Sequence, residues 1–240
     1  MILRLGFCLV VLALSVTVAQ ATSPVTFDAA CNNGGTGTGN KNCDVAASAS
    51  VTCVVMMAEW AAGTDDIVSG FPTYAGSAMT LQQKDLAWTS GKSHGTWYVI
   101  APPTGTQTAN IKTTSGVNIQ QVTLSFTGTC ERLANFGSAS GSSSPATHAV
   151  TVSDASNGLA VQALAFTDNP SLTAGTGETI RKSGTNASNS QHGLTSDTNG
   201  SHTFGPTFSG SHAWHSHGFS LEPNAAVTPS ALLPLLGVGN

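Results

Sequence analysis

The segment Gln120-Gln-Val-Thr-Leu-Ser-Phe-Thr-Gly-Thr129 indicates the fold class of this chain. Its apolar residues, Val122, Leu124 and Phe126, alternate with threonine and serine. Side chains two residues apart on a strand share a face. The pattern therefore predicts a β-strand with one buried face and one solvated face.

Similar segments recur along the chain, separated by glycine, asparagine, serine and proline residues typical of turns. The segment 50–60 is apolar on both faces, which predicts a central strand covered on both sides. The segment 135–145 is rich in glycine and serine and is predicted to be a loop. Further strands are predicted at 25–29, 73–83, 96–101, 109–114, 147–153, 159–167, 179–182, 202–208 and 213–221.

No helical period of apolar residues persists for three turns, so we expect minimal helix. The predicted fold is all-β: an antiparallel two-sheet β-sandwich, jelly-roll-like, with about 10–12 strands. We expect residues 22–223 to form this sandwich as a single domain.

The composition narrows the classes of function. Charged residues make up only 8% of the chain, against roughly 25% in ordinary soluble domains. With 40% hydrophobic residues and a net charge of −4, the chain lacks the signature of disorder. Its eight Lys and Arg residues are scattered, so we expect no nucleic-acid partner. A surface poor in charge eases self-association, and other copies of the chain are the expected partners.

The two ends carry apolar segments of different kinds. Arg4, the apolar segment 5–18 and the small residues Ala19 and Ala21 match a signal peptide at 1–21. We therefore expect a secreted protein, extracellular or at the cell surface, with no transmembrane segment in the mature chain. Residues 224–240 form a Pro-containing apolar tail, expected to pack on its own domain or on a neighbouring subunit.

Four cysteines follow the signal peptide: Cys31, Cys43, Cys53 and Cys130. An even number in an oxidising compartment predicts two disulfides, with three connectivities open. We favour Cys31–Cys43 and Cys53–Cys130. A zinc site made of all four thiolates is disfavoured because no Cys-x-x-Cys spacing occurs.

Several segments together resemble a known family: 71–81, 97–99, 122–128, 158–161 and 213–223. They are similar to segments of uncharacterised secreted bacterial jelly-roll proteins that are common among environmental sequences. The resemblance implies a concanavalin-like β-sandwich on the cell exterior and implies no catalytic residues. The chain departs from the family's pattern in its cysteines and in its histidine-rich last strand.

That last strand carries the strongest candidate metal ligands. His215 and His217 share a strand face and can converge on one ion. His212 and His202 are candidates to complete a zinc site, with Asp197 a weaker one. The alternative interpretation is two histidines near a strand end, one of them partly buried and hydrogen-bonded.

Two other segments suggest chemistry less directly. Asp65 and Asp66 are adjacent acids in a predicted loop, either solvated or binding calcium together with backbone oxygens. The segment 91–95, Gly-Lys-Ser-His-Gly, matches the Gly-x-Ser-x-Gly elbow of serine hydrolases. That elbow requires a strand turning into a helix, and a strand is predicted to follow here, so a turn is favoured.

Aromatic residues and glycosylation patterns complete the candidate sites. Trp97, Trp88 and Tyr98 are candidates for a carbohydrate-stacking platform, with core packing as the alternative. Asn186 and Asn199 begin Asn-x-Ser patterns, meaningful only where the source glycosylates such sites.

These patterns favour a secreted, non-enzymatic structural or surface protein that requires no cofactor, with calcium or zinc left open. Self-assembly into an extracellular matrix, layer or filament is the leading hypothesis. The alternative is an extracellular carbohydrate-binding module. We expect no enzyme, because no catalytic constellation is apparent.

Overall fold

The computed structural model describes residues 22–89, 91–186 and 188–224. The predicted signal peptide, and the tail from residue 225 onward, lie outside the described residues. Within the described part of the chain, the regular structure is entirely β. No helix there is long and apolar enough to cross a membrane.

The first half of the described chain, residues 22–129, forms nine strands. They are β1 (Thr26–Gly35), β2 (Lys41–Ala47), β3 (Val51–Trp60), β4 (Thr73–Tyr74), β5 (Ser77–Ala78), β6 (Thr80–Thr89), β7 (Lys92–Ile100), β8 (Gly105–Ile111) and β9 (Ile119–Thr127).

The second half, residues 130–224, also forms nine strands. They are β10 (Arg132–Gly141), β11 (His148–Val150), β12 (Leu159–Phe166), β13 (Leu172–Thr173), β14 (Glu178–Thr185), β15 (Ser190–Ser196), β16 (His202–Phe204), β17 (Thr207–Phe208) and β18 (Trp214–Glu222).

These strands form five antiparallel sheets. The first half has an inner sheet of order β1-β9-β3-β7-β6 and an outer sheet of order β2-β8-β4-β5. The second half has an inner sheet of order β10-β18-β12-β15-β14 and two outer pairs, β11-β16 and β13-β17. The sequence predicted two sheets and fewer strands, because alternation along one strand does not reveal how many layers cover it.

Three apolar clusters fill the spaces between successive layers. One, containing Trp60, lies between the outer and inner sheets of the first half. The second, containing Leu124 and Phe219, lies between the two inner sheets. The third, containing Phe204 and Phe208, lies between the second inner sheet and the outer pairs. Each inner sheet is therefore covered on both faces, as the apolar segment 50–60 predicted for its own strand.

The two halves repeat one strand topology. Numbering the nine strands within each half gives the inner-sheet order 1-9-3-7-6 for the first half and 1-9-3-6-5 for the second. The two orders correspond because the second half has no counterpart of the short strand β5 and has two strands, β16 and β17, where the first half has β8. The outer layers correspond as well. In the first half, the single strand β8 pairs with both β2 and β4. In the second half, two shorter strands replace β8: β16 pairs with β11, and β17 pairs with β13. Each half thus contributes its inner sheet to a shared interface.

Glycines set the spacing of this interface on one side. A Cβ on Gly184 of β14 would lie 2.1 Å from Nε2 of Gln120 on β9. A Cβ on Gly193 of β15 would lie 2.9 Å from Cδ1 of Leu124. With the Gln120 and Leu124 side chains in these positions, glycine is the residue that fits at 184 and 193 without displacing them.

Two sequence predictions are corrected by the fold. The segment 135–145, predicted to be a loop, lies largely within edge strand β10. Its Gly141 has a packing role there, since a Cβ would lie 2.8 Å from the ring of Trp214. Strand β9 is buried on both faces rather than one. Its polar face is covered by the outer sheet, where Gln121 Nε2 donates a hydrogen bond to the carbonyl of Lys41 on β2.

The favoured disulfide pairing is confirmed. Cys31 bonds Cys43, which joins β1 to β2, and Cys53 bonds Cys130, which joins β3 to the start of the second half. Two such bonds indicate an oxidising compartment.

Candidate functional site: a histidine cluster between the inner sheets

A row of ionisable side chains crosses the first inner sheet. His94 on β7 lies opposite Glu59 on β3 and opposite Asp85 on β6. Directly opposed residues of antiparallel strands share a face. Glu59 lies two residues after Met57, which packs in the cluster between the inner sheets. The whole row therefore faces the second inner sheet.

The second inner sheet presents two imidazoles to this row. His215 and His217 lie two residues apart on β18 and share its inward face. Their neighbours on β12 are small, because Ala165 lies opposite His215 and Ala163 lies opposite His217. The space left by the alanines admits the histidine rings. His94 and His217 are fully buried and His215 is 5% exposed.

The three rings are in direct contact. His94 Nδ1 lies 3.1 Å from His215 Nδ1. The rings of His94 and His217 stack, with centroids 4.1 Å apart and planes 13° apart. One nitrogen from each of the three residues lies within 4.8 Å of the other two. Three imidazoles from two sheets thus pack directly against one another.

Asp85 supplies the carboxylate of the cluster. Its Oδ2 lies 3.1 Å from Nε2 of His215 and 3.1 Å from Nε2 of His217. The hydrogen bond from His217 is the main reason why the pKa of Asp85 falls to about 2. Burial, and then the neighbouring His217, lower the pKa of His215 to about 4. Burial likewise lowers the pKa of His94 well below its usual value.

The hydrogen bonds fix one set of tautomers for neutral rings. Because an ionised carboxylate only accepts, His215 and His217 must each carry the proton on Nε2. Their Nδ1 atoms then accept, from His94 Nδ1–H at 3.1 Å and from the Thr96 hydroxyl at 2.8 Å respectively. A neutral His94 with its proton on Nδ1 has an unprotonated Nε2.

That atom, Nε2 of His94, is buried and makes no well-aligned hydrogen bond among the described residues, although the Gln191 side chain lies close enough to oppose the lowering of the pKa of His94 by burial. Both carboxyl oxygens of the adjacent Glu59 are buried and unpaired in the same sense. Burial raises the pKa of Glu59 well above its usual value, and Lys92 Nζ, 4.0 Å away, opposes this shift. Buried polar atoms nearly always have partners, so the unpaired atoms of Glu59 and His94 distinguish this cluster from an ordinary hydrogen-bonded network.

The structure brings together only part of the metal set predicted from sequence. His215 and His217 converge, but His212 Nδ1 lies 2.6 Å from Asp168 and His202 Nε2 lies 3.5 Å from Glu178. Within the described residues neither joins the three-histidine group. Asp197 is also elsewhere, accepting a hydrogen bond from Thr179.

The two adjacent acids proposed for calcium have separate partners. Asp65 pairs with Lys84 at 2.6 Å. Asp66 accepts hydrogen bonds from Ser115 Oγ at 2.6 Å and from Thr114 Oγ1. These partners hold the two carboxylates in different contacts rather than at one common point.

His94 was not among the metal candidates predicted from sequence. It appeared only inside the hydrolase-like segment 91–95, which the structure places around the start of β7. Ser93 of that segment donates a hydrogen bond to the carbonyl of Ala62 at 2.6 Å. The sequence offered one signal, a histidine close to the start of a predicted strand. It could not show that His94 lies opposite Glu59, or that it contacts the histidines of β18, because both contacts depend on tertiary structure.

The aromatic residues proposed as a carbohydrate platform do not form one exposed surface. Trp97 is 2% exposed and packs against Trp60. Tyr98 is half-buried against the cluster between the inner sheets. Trp88 is half-buried, with its ring 5.3 Å from that of His215. Trp97 is therefore withdrawn from sugar stacking, because both faces of β7 are covered.

Both predicted glycosylation asparagines use their side-chain amides inside the fold. Asn186 Nδ2 donates to the carbonyl of Ile119 at 3.1 Å. Asn199 Nδ2 donates to the carbonyls of Val25, Asn157 and Gly158, at 3.1, 3.2 and 3.1 Å. Attachment of a glycan at either nitrogen would disturb these contacts.

Comparison with known proteins adds no assignment: no family model, no curated protein and no solved structure matches this chain.

Proposed function

We propose that this protein is a secreted, non-enzymatic structural protein that assembles with copies of itself at the cell exterior. Support for the compartment comes from the two disulfides and from the signal-like sequence at 1–21. The jelly-roll-like architecture implied by the resemblance to secreted bacterial proteins belongs to the same proposal, and the two-layered halves support it.

The observation that carries self-assembly is the edge strand β6. It has one neighbour in its sheet, β7. Leu81 and Leu86 on this strand are 47% and 46% exposed, and they are the large apolar side chains exposed in the described part of the chain. An edge strand with free backbone groups and exposed leucines is a template for pairing with another chain.

The low charge of the chain favours a second copy of the same chain as the partner of β6. The chain has only 8% charged residues and a net charge of −4, so repulsion between copies is weak. The corresponding edge strand of the second half, β14, carries the two adjacent cations Arg181 and Lys182, which discourage edge pairing. The one cation of β6, Lys84, is paired with Asp65 at 2.6 Å.

Sedimentation velocity and electron microscopy of the purified protein test the proposal. We expect concentration-dependent oligomers, and we expect the double variant Leu81→Lys/Leu86→Lys to remain monomeric. Thr106→Lys, which adds a lysine on an exposed position of β8, is the matched control and should assemble normally. A wild type that stays monomeric at high concentration would refute self-assembly, and specific binding on a glycan array would favour the carbohydrate-binding alternative.

A further inference from the structure

We infer that His94, His215 and His217 form a binding site for one divalent transition-metal ion, held between the two halves of the chain. This inference is independent of self-assembly. It rests on the convergence of one nitrogen from each of the three histidines and on the position of Asp85 beside two of them.

The nitrogen separations suit a small ion. Zinc binds imidazole nitrogen at about 2.0–2.1 Å, so two ligands at a tetrahedral angle lie about 3.3 Å apart. The Nδ1 atoms of His94 and His215 are already 3.1 Å apart. His217 must turn, because its ring is stacked on that of His94 and parallel rings do not direct lone pairs at one point. To complete a three-nitrogen site, this ring has to turn, and its Nδ1 has to give up the hydrogen bond from the Thr96 hydroxyl.

Asp85 stands where a carboxylate supports metal-bound histidine. Histidines that bind a metal commonly donate their other ring N–H to a carboxylate, which fixes the ring orientation. Asp85 Oδ2 accepts from Nε2 of both His215 and His217. Their Nδ1 atoms are then the ones available to an ion. Ser216, which lies between the two histidines on β18, points to the other face of the sheet and hydrogen-bonds His148 there.

The charges around the site favour a divalent cation. Bringing an ion into a buried site is costly unless opposite charges lie close by. The two residues opposite His94 on the neighbouring strands, Glu59 and Asp85, are both acids. Asp85 supplies a carboxylate beside a 2+ ion, whereas Glu59 lies 4.0 Å from the cation Lys92. Neutral imidazole donors select zinc, copper or nickel over calcium and magnesium.

The second half of the chain has the same strand topology, so it shows which residues stand at the positions corresponding to the ionisable row of the first inner sheet. By strand pairing, Glu59, His94 and Asp85 correspond to Ala165, Gln191 and Gly184. The same topology therefore accepts alanine, glutamine and glycine here. Packing alone does not require the ionisable set, which points to a ligand.

Metal analysis and titration of the disulfide-bonded protein test the inference. We expect one Zn²⁺ bound per chain by isothermal titration calorimetry, with a rise in Tm of several degrees that EDTA reverses. Cu²⁺ and Ni²⁺ titrations establish the preference. Co²⁺ should give visible absorption bands characteristic of nitrogen coordination, a readout that depends on no variant.

The informative variant is His94→Gln, because glutamine occupies the corresponding position in the other half. We expect at least a tenfold loss of Zn²⁺ affinity. His192→Gln, which alters a buried histidine of β15 outside the cluster, should bind as the wild type does. Wild-type protein without stoichiometric Zn²⁺, Cu²⁺ or Ni²⁺ binding, or equal binding by His94→Gln, would overturn the inference. Neither result changes the expected oligomeric state, so this proposal and self-assembly can fail independently of each other.

Discussion

His94 and Gln191 occupy corresponding positions in the two halves of the molecule. His94 lies opposite Glu59, the penultimate residue of β3, and Gln191 lies opposite Ala165, the penultimate residue of β12. The repeated topology thus places a histidine and an acid on one side of the interface, and an amide and a methyl group on the other. These two ionisable side chains are therefore on one side of the interface, and the corresponding residues on the other side are not ionisable.

The supporting carboxylate gives the first prediction. Asp85→Asn should weaken Zn²⁺ binding by about 10- to 100-fold, the usual effect of removing a partner of metal-bound histidine. Isothermal titration calorimetry measures the affinity. Asp65→Asn is the matched control, since Asp65 pairs with Lys84 instead. Equal affinity of the Asp85 variant and the wild type would contradict this role.

Close packing on the opposite side gives the second prediction. Gly184→Ala should destabilise the fold by about 1–3 kcal/mol, the usual cost of overpacking. The reason is that its Cβ would lie 2.1 Å from Gln120 Nε2 and 2.8 Å from Cδ. Urea unfolding measures the change.

A double-mutant cycle then identifies the contact. Gly184→Ala combined with Gln120→Ala should cost less than the sum of the two single changes, because removing the amide relieves the clash. Additive effects would show that the glycine is not required by Gln120.

The disulfides give the third prediction. Cys53 and Cys130 are 77 residues apart, and Cys31 and Cys43 are 12 apart. The loop-entropy argument makes the longer link more stabilising by about 1–2 kcal/mol. Replacing both cysteines of each pair by alanine and comparing urea midpoints tests this order. A larger loss from the Cys31–Cys43 pair would contradict the entropic account.

Acid sensitivity gives the fourth prediction. Burial lowers the pKa of His192 to about 4, whereas an unfolded histidine titrates near 6.5. The unfolded state therefore binds more protons between these values, and stability falls as the pH drops from about 6.5 to 4.

Replacing the group should flatten that dependence. Relative to the wild type, His192→Gln should gain on the order of 3 kcal/mol on going from pH 8 to pH 4. Urea unfolding of metal-free protein across this range provides the measurement. Parallel pH profiles for the two proteins would show that His192 does not contribute.

The sequence predicted the fold class and many of the strands because those features are local. Predicted strands at 50–60 and 159–167 nearly coincide with β3 and β12. Alternation failed where both faces of a strand are covered: on β15, Gln191 faces the inner interface and His192 hydrogen-bonds Ser183 Oγ, so no apolar period appears.

The candidate site was predictable only in part for the same reason. His215 and His217 are two residues apart, so strand geometry alone places them on one face. His94 lies 121 residues before His215, and the two meet only because the inner sheets stack. The repeated topology is likewise visible in strand order and not in residue identities.

The ligands of the proposed site come from strands that are far apart in the chain. β7 is made early and β18 is the last strand described. During synthesis, a chain that has not yet delivered its final strand offers a single imidazole of the three. The proposed site is therefore complete only after β18 has joined its sheet, so the metal pool of the compartment in which the chain folds determines which ion is incorporated.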